Sequence, residues 1–277
     1  MTRIAHVINI APDTEATRKS YLHIAQPATV RSMAAARART EDPSRVELLA
    51  IRHASENGPT PESFRELTPA STYAWEHLPE IADPKIRRGF IRLVDVLGTA
   101  YRESKADWLI YTNSDIGVQP NFYREVLRRI EGGWDAFCIN RQDLPKEWKG
   151  KTLGADDLET IWKVPGAAHR GIDCCVFRRE LVPQLDLGHV FIGAPPVGLL
   201  LMQQIARHSR QFNWIKTGRH TFHLGCDRAW RQTTASPYAA ANMRAANGRY
   251  NRQRLRLPLR VSLWRRVRVA LGLNPTP

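Results

Sequence analysis

Between residues 83 and 139 the chain alternates amphipathic helices with short apolar strands. Asp83-Pro84 reads as a helix start, an N-cap followed by proline in the first turn. From there Ile86, Phe90, Leu93, Val94, Leu97 and Tyr101 share one helical face, and the helix is expected to reach Ser104. A strand over 108–111 follows, then a helix over 121–131 with Phe122, Val126, Leu127 and Ile130 inward, stopped by Gly132-Gly133. Residues 135–139 form the next strand. Strands and helices at this spacing predict a mainly parallel sheet with helices on both faces. The flanking segments extend the pattern. Strands are expected over 4–10 and 46–51, and a helix opening at Pro27 runs to Arg39. Residues 54–82 carry four prolines and read as a long connection. The second half is less regular, with strands over 172–177, 212–216 and 221–224 and a helix over 197–208.

At 277 residues and 43% hydrophobic content, the chain can build one substantial core. No apolar run approaches the 18 residues a spanning helix needs. The start, "MTRIAHVINIAPD", lacks the layered charge and apolar pattern of a signal peptide and reads as a first strand, which suits a cytoplasmic protein. Cys138, Cys174, Cys175 and Cys226 show no CxxC spacing, so buried thiols are expected rather than a zinc ribbon or disulfide framework. There is no Walker A signature and no GxGxxG after the first strand, which leaves a P-loop kinase or dinucleotide dehydrogenase unsupported.

The basic charge is concentrated. Eleven of the 41 Lys and Arg follow Asp227, the last acid of the chain, so residues 1–227 hold 30 basic against 27 acidic side chains. Domain 1–235 is therefore expected to be a near-neutral body and 236–277 a basic amphipathic tail. Within 244–273, arginines alternate with Val261, Leu263, Trp264, Val267 and Leu271. Three readings stay open: a helix lying on an anionic membrane, docking on the body or a second subunit, and, as the weakest, nucleic-acid binding.

The candidate chemistry lies beyond the carboxyl end of the 108–111 strand, where α/β sheets bind ligands. Asn113-Ser114-Asp115 stands there, and a carboxylate at that edge suits a hard divalent cation clamping a diphosphate. An Asx turn that merely closes the strand is the alternative. A second polar cluster, "RHTFHLGCDRAW", offers His220, His223 and Asp227, with a histidine as a further metal ligand or simply a satisfied core residue. Between the two, Asp173 interrupts an apolar strand, which is costly unless the carboxylate is paired or working. Arg178 and Arg179 follow as candidate phosphate ligands or surface residues.

"IYTNSDI" followed by a helix near "QPNFY" resembles the nucleotide-sugar-binding half of GT-A fold, family 2-like glycosyltransferases, over residues 3–230. The resemblance implies a GT-A-like α/β fold and transfer of a hexosyl group from a nucleotide-diphospho-sugar to a glycan or lipid-linked acceptor. Asn113 and Asp115 match the Asp-x-Asp positions, with an amide in place of the first carboxylate. The donor would meet Asn113, Ser114, Asp115, Glu56 and Arg178. Mn²⁺ or Mg²⁺ would be held by Asp115 and His223, with His220 as alternate, and Asp227 would line the cleft. Asp173 would be the catalytic base or an acceptor contact. Where inverting enzymes of that family carry a Glu-Asp pair, this chain has "IGAPPVG", without a carboxylate. The alternatives are a nucleotidyltransferase of similar fold and a sugar- or nucleotide-binding protein without catalysis.

Overall fold

The computed structural model describes residues 1–148, 151, 155–225 and 236–252. Strands β1 (Ile4–Asn9), β2 (Val46–Ile51), β3 (Arg65–Glu66), β4 (Trp108–Thr112), β5 (Ile116–Val118), β6 (Ala136–Asp143), β7 (Ala167–Arg178), β8 (Phe212–Ile215) and β9 (Thr221–His223) belong to one sheet. Its order is β3-β2-β1-β4-β7-β6-β9-β5, with β8 also pairing β6. β1 pairs β2 and β4 in parallel, and β6 pairs β8 and β9 in parallel. β7 runs antiparallel between β4 and β6 and joins the two halves. The helices are α1 (Glu15–Lys19), α2 (Leu22–Ala38), α3 (Leu93–Glu103), α4 (Phe122–Glu131), α5 (Ala155–Lys163), α6 (Val197–His208) and α7 (Ser236–Arg252).

Strand alternation sends side chains to two separate cores. On one face Ala5, Val7, Leu49, Ile51 and Leu109 pack with Val96 and Leu97 of α3 and Leu201 and Ile205 of α6. On the other, Ile4, Ile8, Leu48 and Ile110 pack with Met33 of α2 and Phe122 and Val126 of α4. The α/β fold with helices on both faces is as expected. Cys138, Cys174 and Cys175 are free thiols buried within it, and Cys226 lies outside the described residues.

Two helix starts differ from expectation. Asp83 does cap, but only a 3-10 turn over Pro84–Ile86, accepting from the Lys85 N–H at 2.9 Å. The helix proper begins at Leu93, because tertiary partners capture the backbone before it. The Arg88 N–H donates to the Tyr238 hydroxyl, the Phe90 carbonyl accepts from Ala74, and the Ile91 carbonyl accepts from Ile192. Pro27, expected at a helix start, sits inside α2, which opens at Leu22 with the Ala25 N–H on the Tyr21 carbonyl. The missing proline N–H leaves the His23 carbonyl without its helical donor, while buried Ala25, Ala28 and Thr29 anchor that turn.

The segment assigned to the tail opens as part of the body. Tyr238 and Asn242 of α7 are fully buried. Residues 253–277, and with them most of the basic amphipathic stretch, lie outside the described residues. Among the described residues no helix is long and apolar enough to cross a membrane.

Candidate active site

β4 ends at Thr112, and Asn113-Ser114-Asp115 makes the turn into β5. β5 pairs antiparallel with β9, setting His223 opposite Ile116, and β9 lies parallel to β6, setting His223 opposite Asp143. Asp115, His223 and Asp143 therefore meet at one edge of the sheet. Nε2 of His223 lies 3.0 Å from Asp115 Oδ2, and its Nδ1 lies 3.7 Å from Asp143 Oδ1. Gly225 makes room for the pair: a Cβ there would stand 2.3 Å from Asp115 Oδ2. The Leu224 N–H closes the turn on the Asp115 carbonyl at 3.0 Å.

The histidine side chain is 3% exposed and that of Asp115 25%. Burial opposes a charged imidazole, but the Asp115 carboxylate, by charge and hydrogen bond, and Asp143 outweigh it and raise the ring's pKa to about 9. Burial likewise pushes Asp115 up, and the charge of His223 and its hydrogen bond bring the carboxyl net below its ordinary value.

The second half of the site grows from the same turn. The Tyr111 hydroxyl donates to Asn113 Oδ1 at 3.0 Å, which orients the amide so that its Nδ2 donates to Asp173 Oδ1 at 3.0 Å. Asp173 Oδ2 accepts from Arg141 Nη1 at 2.9 Å, and Arg141 Nε lies 3.3 Å from Asp143 Oδ1. Seven side chains thus form one continuous polar chain, Tyr111–Asn113–Asp173–Arg141–Asp143–His223–Asp115. The amide at 113 is the residue that Asp173 requires. A carboxylate there would face a second carboxylate at hydrogen-bond distance.

Arg141 and Asp143 were not among the candidates from sequence. The signal was present: "NRQD" follows the apolar 136–139 and forms the carboxyl end of β6, at the edge where Asn-Ser-Asp follows β4.

Other candidates lie elsewhere. Arg178, expected to meet the donor, does not reach this edge. Because β7 is antiparallel to β4, Cys174 pairs with Thr112 but Arg178 pairs with Trp108, at the opposite end of the strand, roughly 13 Å away. There Arg178 bonds Asp135 at 3.0 Å and covers the Trp108 ring. Arg179 is beside it, donating to the Tyr101 carbonyl. His220 faces α4, where burial and then Arg129 lower its pKa, so His223 is the histidine that meets Asp115. Glu56 shares the ligand edge but stands at the end of β2, two strands from β4. It accepts from the His53 N–H at 3.2 Å, and burial raises its pKa. Ser114 is partly exposed on the turn, and Asp227 lies outside the described residues.

Among the described residues no three His, Cys, Asp or Glu side chains form a ready-made metal cluster. The Asp115–His223 pair nonetheless fits as part of a coordination shell. Two donors in cis about a hard cation at roughly 2.1 Å stand roughly 3 Å apart, which is the Oδ2–Nε2 separation of 3.0 Å. A ligating histidine is normally backed on its other nitrogen by a carboxylate, the position Asp143 holds.

A mixed sheet with this edge is the GT-A-like fold. Among solved structures, S. aureus TarS in complex with UDP-GlcNAc aligns at TM-score 0.52 and 9% identity, over 97% of this chain and 70% of that one. A longer TarS chain aligns at TM-score 0.51 and 8% identity, over 98% of this chain. This protein spans 42% of that chain's length. At these identities the likeness is one of fold. No family model matches the sequence, and no curated protein matches it.

Proposed function

We propose that the protein is a glycosyltransferase that takes its sugar from a nucleoside diphosphate donor, with a divalent cation seated between Asp115 and His223. One observation carries the reading: a buried histidine held between two carboxylates at the ligand edge of a GT-A-like sheet. The fold likeness to TarS, solved with UDP-GlcNAc, supports the donor class. Asp115, Asp143 and Asp173 bring three carboxylates together around Arg141 and the His223 ring, and carboxylate oxygens suit a hard cation.

When bound, Mn²⁺ or Mg²⁺ would supply positive charge to the departing diphosphate. Asp115 and His223 would hold it, the ring giving up its Nε2 proton, and Asp143 would keep Nδ1 aligned. Among the described residues the pair offers two donors, so the cation and the diphosphate should bind together, the phosphate oxygens completing the shell. Arg141 and Asn113 hold both oxygens of Asp173, so the carboxylate would orient the acceptor side of the cleft. A binding protein without transfer is the second reading, favoured by that same double engagement of Asp173.

The test is calorimetry of the full chain with a panel of nucleoside diphosphates, with and without Mn²⁺, followed by donor turnover. Binding of one nucleotide that strengthens with metal supports the proposal, and turnover separates transferase from binding protein. Failure of every nucleotide to bind would sink both. The acceptor class and the membrane reading of 244–273 have their own test: flotation of the full chain with vesicles containing anionic lipid against a 1–252 truncation. Equal partitioning rejects a membrane role for 253–277.

A further inference from the structure

α7 reaches back to the body with two fully buried polar residues one turn apart, Tyr238 and Asn242. The Tyr238 hydroxyl accepts from the Arg88 N–H at 2.8 Å, and its ring meets Phe90 and Phe191 edge-on. Asn242 makes a more specific contact. Its Oδ1 accepts from the Phe191 N–H at 3.1 Å, and its Nδ2 donates to the Phe191 carbonyl at 2.9 Å and the Ala194 carbonyl at 2.7 Å. One amide thereby satisfies three backbone groups of an irregular loop that would otherwise be buried without partners.

That loop leads straight to the site. It enters α6, where Gly198 presses on β7 so closely that a Cβ would stand 1.6 Å from the Ile172 carbonyl oxygen. Ile172 directly precedes Asp173. The path from α7 through 191–194 and Gly198 to Asp173 is continuous.

We infer that Asn242 is a positioning residue, which holds the 191–196 loop and through it the wall of the cleft beside Asp173. α7 then belongs to the working domain, and its release would loosen that wall while leaving the Asp115–His223 pair intact. The clamp rests on geometry alone; its consequence for turnover rests on the proposed transferase reading.

The test compares Asn242→Ala with Tyr238→Phe in the full chain by hydrogen exchange. Tyr238→Phe also removes a buried hydrogen bond of α7, but not one to the loop. Asn242→Ala should speed exchange in peptides over 189–194 by about tenfold, with 108–112 unchanged, and Tyr238→Phe should change 189–194 by less than about twofold. Should Asn242→Ala fail to fold, Asn242→Ser is read the same way. Donor hydrolysis gives the second readout: kcat should fall about fivefold or more, with the donor KM within about twofold. Equal loop exchange in the two variants, or an increase spread over the whole sheet, overturns the clamp. An unchanged kcat overturns its reach to the cleft. If the protein binds no nucleoside diphosphate, the transferase reading falls, and the exchange comparison still decides the clamp.

Discussion

Two buried histidines stand in this sheet with opposite protonation. His6 is 0% exposed, in β1, with Nδ1 2.9 Å from the Tyr123 hydroxyl and Nε2 2.9 Å from the Thr112 hydroxyl. Burial, with no charge to oppose it, lowers its pKa to about 3. His223 is 2% exposed, and its carboxylate neighbours raise its pKa to about 9 against the same burial. Burial is common to both, so the partners decide. Hydroxyls accommodate a neutral ring and make His6 a satisfied core residue. Carboxylates hold a cation, and a pole that holds a proton in this way can hold a metal ion instead.

Removing the charge at 115 has the largest expected effect. Asp115→Asn should weaken metal-dependent nucleoside diphosphate binding by about 100-fold or more, read by calorimetry. Retained affinity would reduce the Asp115–His223 pair to a structural ion pair.

The two histidines also give stability opposite pH dependences. The folded pKa of His223 lies above the ordinary value, so its contribution is full below about pH 6.5 and is lost as pH rises through about 9. The loss is on the order of 3 kcal/mol in metal-free protein, read from denaturant midpoints. His6 has the opposite sign: its folded pKa is depressed, so stability is present above about pH 6.5 and is lost as pH falls towards about 3. His223→Gln should flatten the alkaline limb and leave the acid limb of the curve.

Smaller effects follow along the polar chain. Asp143→Asn should cost metal-dependent binding about 10-fold to 100-fold by loosening the ring of His223. Asn113→Asp should lower stability at pH 7 by about 1–2 kcal/mol, because it faces Asp173, and the deficit should shrink at pH 4 as the carboxyls take up protons. Arg178→Ala, at the far end of β7, should cost less than about 1 kcal/mol and leave nucleotide affinity unchanged.

The contrast also explains what could be read from the sequence. Local patterns were enough for the 46–51 strand and for α6, found as expected over 197–208, because each is bounded by its own periodicity and turn residues. Asp115 and His223 were both legible as polar residues at strand ends. What was not legible depends on tertiary partners. The direction of β7 separates Asp173 from Arg178 although only four residues lie between them. The start of α3 is set by Tyr238, Ala74 and Ile192, none of them near in sequence. β5 is three residues long and carries no periodicity of its own. The amide of Asn113, in place of the first carboxylate of the Asp-x-Asp pattern, has its reason in its partner Asp173, sixty residues on.

In the proposed function the His223 pole exchanges its proton for a divalent cation. The direct measurement is nitrogen-detected NMR of the His223 ring at pH 7.5, first in metal-free protein and then with Mg²⁺ and the nucleoside diphosphate selected by calorimetry. The expected result is a doubly protonated ring in the first state and loss of the Nε2 proton in the second, with His6 neutral in both. A His223 ring that stays doubly protonated at saturating Mg²⁺ and nucleotide would contradict it.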